Sequence, residues 1–146
     1  MLICELVIAA TLLAGQQHQM QPGMHFDQMA AVHHFLIETG GGTITLDAKD
    51  TADDATRASI REHLKMIAGD FARGDFSSPF ATHGEVPPGA KERARLKMDI
   101  HYAYEETAGG GRVVIRTDRP EAVAAIHQFL GYQIKEHKTG DPIPRR

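Results

Sequence analysis

Nine histidines occur in 146 residues, as many as the six Phe and three Tyr together; there is one Cys and no Trp. The imidazoles are therefore the side chains best suited to chemistry. Imidazole changes charge near neutral pH and, when neutral, offers a lone pair to a borderline metal ion such as Zn2+ or Cu2+. Spacing sorts them into three sets. His33 and His101 hold matching places in two related stretches, both read here as lying on the open face of a sheet. If the first strands of the two stretches lie side by side, these rings can share an ion, with Glu105 or a second chain completing the ligand set. The alternative is a pair of solvated sheet histidines.

His63, His127 and His137 form the second set. Each flanks the apolar stripe of an amphipathic segment and so leans toward the sheet, where His34, Tyr102 and Tyr104 are the available partners. Convergence of these rings would build a metal site, a haem pocket or a proton-active cleft, whereas separate hydrogen bonds would make them ordinary core residues. The third set is His18, Met20, Met24 and His25, with Met29 just beyond, in a Gln-rich segment lacking hydrophobic periodicity. Thioether and imidazole donors together suit copper in either oxidation state. Cleavage after Gly15 would also make His18 the third residue of a new chain, where amine, amides and imidazole can hold Cu(II) in a square plane; cyclisation of Gln16 would abolish that site. A polar tether with incidental Met and His is the plainer reading.

The elements that must position these groups are visible as an internal copy. Glu38-Thr39-Gly40-Gly41-Gly42 followed by Thr43, Ile44, Thr45 and Leu46 recurs as Glu106-Thr107-Ala108-Gly109-Gly110-Gly111 followed by Arg112, Val113, Val114 and Ile115. Downstream, Gly74-Asp75 recurs as Gly140-Asp141. Each copy reads strand, glycine turn, strand, helix, Gly-Asp. Residues 32–39 are expected to form a strand, Gly40 to Gly42 the turn, and residues 43–48 the partner, with Ile44, Leu46 and Ala48 alternating inward. Thr51 with Asp54 resembles a capping box before Ile60, Leu64, Ile67 and Phe71, and Gly74 stops that helix. In the second copy a strand is expected from Leu96 through Tyr104, then Val113 and Ile115 inward, then a helix capped by Asp118 with Glu121, striped by Val123, Ile126, Leu130 and Ile134, and ended by Gly140. Residues 75–95 read as a long connection.

The order ββα-ββα predicts an α+β fold: a four-stranded antiparallel sheet with two helices on one face and an approximate twofold relation between repeats 31–75 and 96–141. The other face is expected to show His33, Phe35, Ile37, Val114, His101 and Ala103, apolar enough to call for a covering partner, most simply a second copy of the chain. Residues 31–146 would then be one domain, preceded by a Met/His/Gln-rich arm at 16–30. The apolar run from Leu6 to Ala14 is too short to span a bilayer and resembles a truncated signal segment covering 1–15, without the usual positive start. That predicts a periplasmic or secreted protein with no membrane insertion after processing; the alternative is a cytoplasmic protein with a buried N-terminal element. The formal charge of −3 offers no field for nucleic-acid phosphates.

Both glycine triplets join strands rather than lead into a helix, so neither is a phosphate cradle. Glu62-His63, Asp70, Asp75, Ser77 and Ser78 supply acids, a base and hydroxyls without a catalytic pattern around them, and no catalytic residue is named. The stretches His33-His34-Phe35, Ala72-Arg73-Gly74-Asp75-Phe76, Val86-Pro87-Pro88-Gly89 and Ile134 to Pro142 with its His137, Gly140 and Asp141 resemble a family of small uncharacterised bacterial proteins. The resemblance spans nearly all of residues 24 to 142; it implies a domain and transfers no activity. The expectation is an exported protein binding copper or zinc through histidines and the arm, with haem a further option. Its rivals are an oligomeric interaction or small-ligand module using the open sheet face, and an enzyme in which two of His63, His83, His127 and His137 meet a carboxylate.

Overall fold

The structure, a computed structural model, describes residues 26–145. Four strands, β1 (Ala31–Glu38), β2 (Gly41–Ala48), β3 (His101–Glu106) and β4 (Gly110–Arg116), form one antiparallel sheet in the order β1-β2-β4-β3. Four helices accompany them: α1 (Asp54–Arg73), α2 (Ser77–His83), α3 (Ala90–Arg95) and α4 (Pro120–Glu136). The α+β class and the duplicated strand-strand-helix order are as the repeat predicts. The long helices exchange partners: α1 lies on β3 and β4, while α4 lies on β1 and β2. Each repeat thus covers the other's hairpin, which ties the two halves into a single core. That core holds Ile44, Leu46, Ile60, Leu64, Phe71, Val113, Ile115, Ile126, Phe129 and Leu130. Each such side chain contributes about 1.5–3 kcal/mol of burial free energy.

Register decides which imidazole faces the helices. Glu38 pairs with Gly41, leaving Thr39-Gly40 as the connection, so His33 stands opposite Leu46 and Phe35 opposite Ile44. Directly opposed residues share a face, and these face the helices. Starting the return strand at Thr43 shifts the register by an odd number of residues and turns β1 over. The expected open-face placement of His33, Phe35 and Ile37 is accordingly corrected: Phe35 is buried, His33 is half-buried, and His34 points outward instead. Gly41 makes this tight exit feasible. Its φ of 147° and a Cβ position only 2.0 Å from the Ile115 carbonyl oxygen leave no room for a side chain.

The open face consequently differs from the expected one. Its central row of Leu36, Thr43, Val114 and Ala103 lies between two cross-strand ion pairs, Glu38 with Arg116 and Glu105 with Arg112. These charges are compatible with water. The case for a covering partner, built on the apolarity of β1, is weaker than the sequence suggested.

Local chemistry moved several boundaries. Asp53 caps α1, its carboxylate accepting from the Thr56 N–H at 2.9 Å, in place of Thr51. Pro120 opens α4, and no side chain caps it, so Asp118 does not play the expected part. Residues 75–95 contain α2 and α3, and Lys97–Asp99 form a 3-10 turn, so β3 starts at His101 rather than Leu96. At the other end α4 stops before Gly140. His137 is its C-cap, the Thr139 N–H reaches the Ile134 carbonyl at 3.2 Å, and Lys138 takes the left-handed position with φ 50°. Among the described residues no helix is long and apolar enough to cross a membrane.

Candidate functional site

A cleft opens between the helix-facing side of β1 and helices α1, α2 and α4, with a void of about 470 Å3 counted to its mouth. Four imidazoles from four elements line it. His33 comes from β1, His63 from α1, His83 from the last position of α2, and His137 from the C-cap of α4. Phe35, Leu64, Ile67, Phe71 and Phe129 supply apolar wall; Ser78, Thr82 and Gln133 supply its other polar atoms. No Asp, Glu or Cys lines it among the described residues.

His33, His137 and His83 form a chain of ring contacts. His33 and His137 stack with centroids 4.7 Å apart at 20°, and His137 meets His83 nearly at right angles, 5.3 Å away. His83 donates from Nε2 to Gln133 Oε1 at 3.0 Å and stands edge-on to Tyr132, whose hydroxyl donates to Glu85 at 2.7 Å. The first bond tethers α2 to α4, and the second ties Glu85, two residues beyond α2, to the same helix. The register of β1 and the C-cap of α4 together set the His33 and His137 stack; a helix running on to Gly140 would carry residue 137 round with it.

Burial pushes His33 down to about 3, helped by the neighbouring His137 and His63, and pushes His137 down to about 4, helped by His83. Desolvation penalises the imidazolium, and two stacked rings cannot readily both carry charge. Both are neutral lone-pair donors at physiological pH. The Nε2 atom of His33 and the Nε2 amide of Gln133 are buried without a hydrogen-bond partner. Orphaned polar atoms in a cleft are the groups a guest would satisfy.

The expected site residues divide accordingly. His33, His63 and His137 meet in the cleft, joined by His83. His101 does not, because β2 and β4 occupy the centre of the sheet and leave β1 and β3 at opposite edges, roughly 14 Å apart at three strand spacings. His101 is also on the open face, so the expected pairing with His33 is overturned on both counts. His127 is occupied elsewhere, donating from Nε2 to the Glu38 carbonyl at 2.8 Å. His34, expected inward, lies on the open side and donates from Nδ1 to Asp141 at 3.0 Å. His18, Met20, Met24 and His25 lie outside the described residues, as does the whole of 1–15. The end of the arm is described: Phe26 is buried with its ring edge-on to His63 at 5.5 Å, and Asp27 caps a 3-10 turn over Gln28–Ala30. Met29 is exposed, outside the cleft.

Among the described residues no three His, Cys, Asp or Glu side chains are disposed, as they stand, around a single ion position. The imidazoles meet in pairs instead. The sequence reading missed Gln133 and Arg93. Gln133 lies one turn from Phe129 and Leu130 on the buried side of α4, a position periodicity could have flagged. Arg93 is wholly buried in a box of Phe71, Phe76, Tyr102 and Phe129, its guanidinium carbon 4.3 Å from the Phe129 centroid and 4.8 Å from that of Phe71. Only Nε is bonded, to the Tyr102 hydroxyl at 3.2 Å, while both Nη atoms have no partner. Comparison with protein-family models, with curated proteins and with solved structures finds no match.

Proposed function

We propose that this protein binds a transition-metal ion, copper or zinc, through the imidazoles of the cleft. The observation that carries the reading is the buried, unpartnered Nε2 of His33 within a group of four imidazoles and no carboxylate. A neutral imidazole with a free lone pair is a ready ligand, and burial keeps two of these rings in that form. The rings are contributed by four separate elements, and bringing their nitrogens to a common ion would require His137 to turn out of its stack on His33 and His83 to leave its hydrogen bond to Gln133. The Met/His segment enters the same reading, since Phe26, its continuation, packs against His63. Export through residues 1–15 belongs to the proposal as well, because an oxidising compartment is where such a binder would meet copper.

The test is metal analysis of the full chain purified without an affinity tag, followed by titration with copper and zinc. The reading expects about one bound ion per chain, reduced in His33→Phe and His137→Phe proteins that remain folded. Absence of any bound or titratable copper, zinc or iron at micromolar protein would end it.

A further inference from the structure

We infer that the cleft, with its rings in the positions described, receives a small neutral alcohol or phenol: an apolar body carrying one hydroxyl. The inference goes beyond the metal reading and does not depend on it. Size sets the first limit. The space open to the centre of a water molecule is about 60 Å3, room for roughly four to six waters or for an organic molecule of about as many heavy atoms. The rings of Phe35, Phe71 and Phe129 and the side chains of Leu64 and Ile67 make most of the wall apolar. Water gains little beside such a wall, whereas a carbon skeleton packs against it, and an aromatic one can meet the rings edge to face.

Two polar atoms set the second limit. Gln133 is 4% exposed; its Oε1 is held by His83, while its Nε2 has no hydrogen-bond partner. An amide nitrogen only donates, so the guest must bring an oxygen acceptor. The buried Nε2 of His33 is the other orphan in the cleft wall. A hydroxyl meets it in either tautomer, accepting from an N–H or donating to a lone pair. Charge sets the third limit. Among the described residues no Asp, Glu, Lys or Arg lines the cleft, and burial holds His33 and His137 uncharged. An ionised guest would therefore leave water without a counter-charge. The bound molecule also keeps the His33–His137 stack and the His83–Gln133 bond, the contacts an ion has to break, so guest and metal exclude one another.

The experiment takes the full chain, untagged, metal-free and labelled with nitrogen-15, and titrates it at neutral pH with phenol, toluene, benzoate and benzylamine in turn. Phenol should bind saturably with a dissociation constant of about 1 mM or below, moving the side-chain amide of Gln133 and the ring nitrogens of His33. Benzoate and benzylamine, both ionised, should bind about tenfold more weakly or worse. Gln133→Leu should lower the preference for phenol over toluene by roughly tenfold; the ratio cancels the difference in hydrophobicity between the probes. The wild-type titrations stand even if that variant fails to fold. No saturable phenol binding, with water alone in the cleft, would overturn the inference. So would phenol shifts that spare Gln133 and His33, or an unchanged ratio in folded Gln133→Leu. Benzoate binding as tightly as phenol would overturn it in favour of an anion drawn by the buried Arg93 behind Phe71 and Phe129. These results leave the metal reading to the copper and zinc titration, whose failure would in turn leave the phenol result untouched.

Discussion

His33 on an edge strand and His137 at the end of the last helix stack at 4.7 Å, although 104 residues separate them in sequence. Both rings are held neutral by burial, near 3 and 4, against 6.5 in an unfolded chain. Between those limits the unfolded chain takes up protons that the folded chain refuses, so stability rises with pH across that window. For metal-free protein the unfolding free energy should be level above about pH 7 and fall by roughly 3 kcal/mol for each of the two rings as pH drops from 6.5 toward 4. Urea denaturation at a series of pH values measures this. His33→Phe should flatten the slope, and an unchanged slope in that variant would show that other groups control it.

Asp141 closes the free edge of β1. Its carboxylate accepts from the Phe35 N–H at 2.9 Å and from His34 Nδ1 at 3.0 Å. Burial works to raise its pKa, but the hydrogen bonds from Thr139, Phe35 and His34 prevail and hold it below the usual carboxylate range. The stabilisation is therefore present above the unfolded value and lost as pH falls through the folded one. Asp141→Ala should cost about 1–2 kcal/mol and speed hydrogen exchange at the Phe35 amide. An unprotected Phe35 amide in the parent protein would contradict the contact itself.

Lys138 occupies a left-handed position of the kind that glycine usually fills at helix ends. Lys138→Gly should raise stability by about 1 kcal/mol, measured as a shift of the thermal midpoint, because the Cβ clash disappears. A loss would mean that the lysine stem contributes more packing than the strain removes. The same turn leads from His137 to Asp141, so the variant also reports on how firmly the stack is held.

Arg93 contributes through the aromatic rings that enclose its guanidinium, those of Phe71, Phe76, Tyr102 and Phe129. Arg93→Ala should cost about 3 kcal/mol or more by leaving a cavity among Phe71, Phe76 and Phe129. Arg93→Met should cost much less, since a flexible apolar chain fills the box and removes a buried charge with unbonded Nη atoms. Equal losses in both would show that the cation over the aromatic faces, rather than volume, is what stabilises the box.

Much of the fold was legible because the duplicated glycine turns and helix stripes repeat the same physics twice. Ile44, Leu46, Val113 and Ile115 alternate clearly, and Gly74 ends α1 as expected. The facing of β1 was not legible in the same way. Val32, His34 and Leu36 against His33, Phe35 and Ile37 are nearly balanced alternations, so only the length of the turn selects between them, and three consecutive glycines hide that length. The order of strands was equally hidden, since nothing local says that the second strands of each repeat pair at the centre. His63 and His137 could be read toward the core from helical spacing, whereas His83 lies in a segment too short to show a period. Arg93 ran against expectation because charged residues are rarely buried without a partner.

The claim that cleft imidazoles hold the ion is tested most directly by nitrogen-15 NMR of the histidine rings in the full chain, metal-free and then with one equivalent of Cu(I). The rings of His33, His63, His83 and His137 should include those whose nitrogen resonances move on loading, while His34, His101 and His127 stay in place. Loading that moves none of the four cleft rings, with the ion nevertheless bound, would contradict the account.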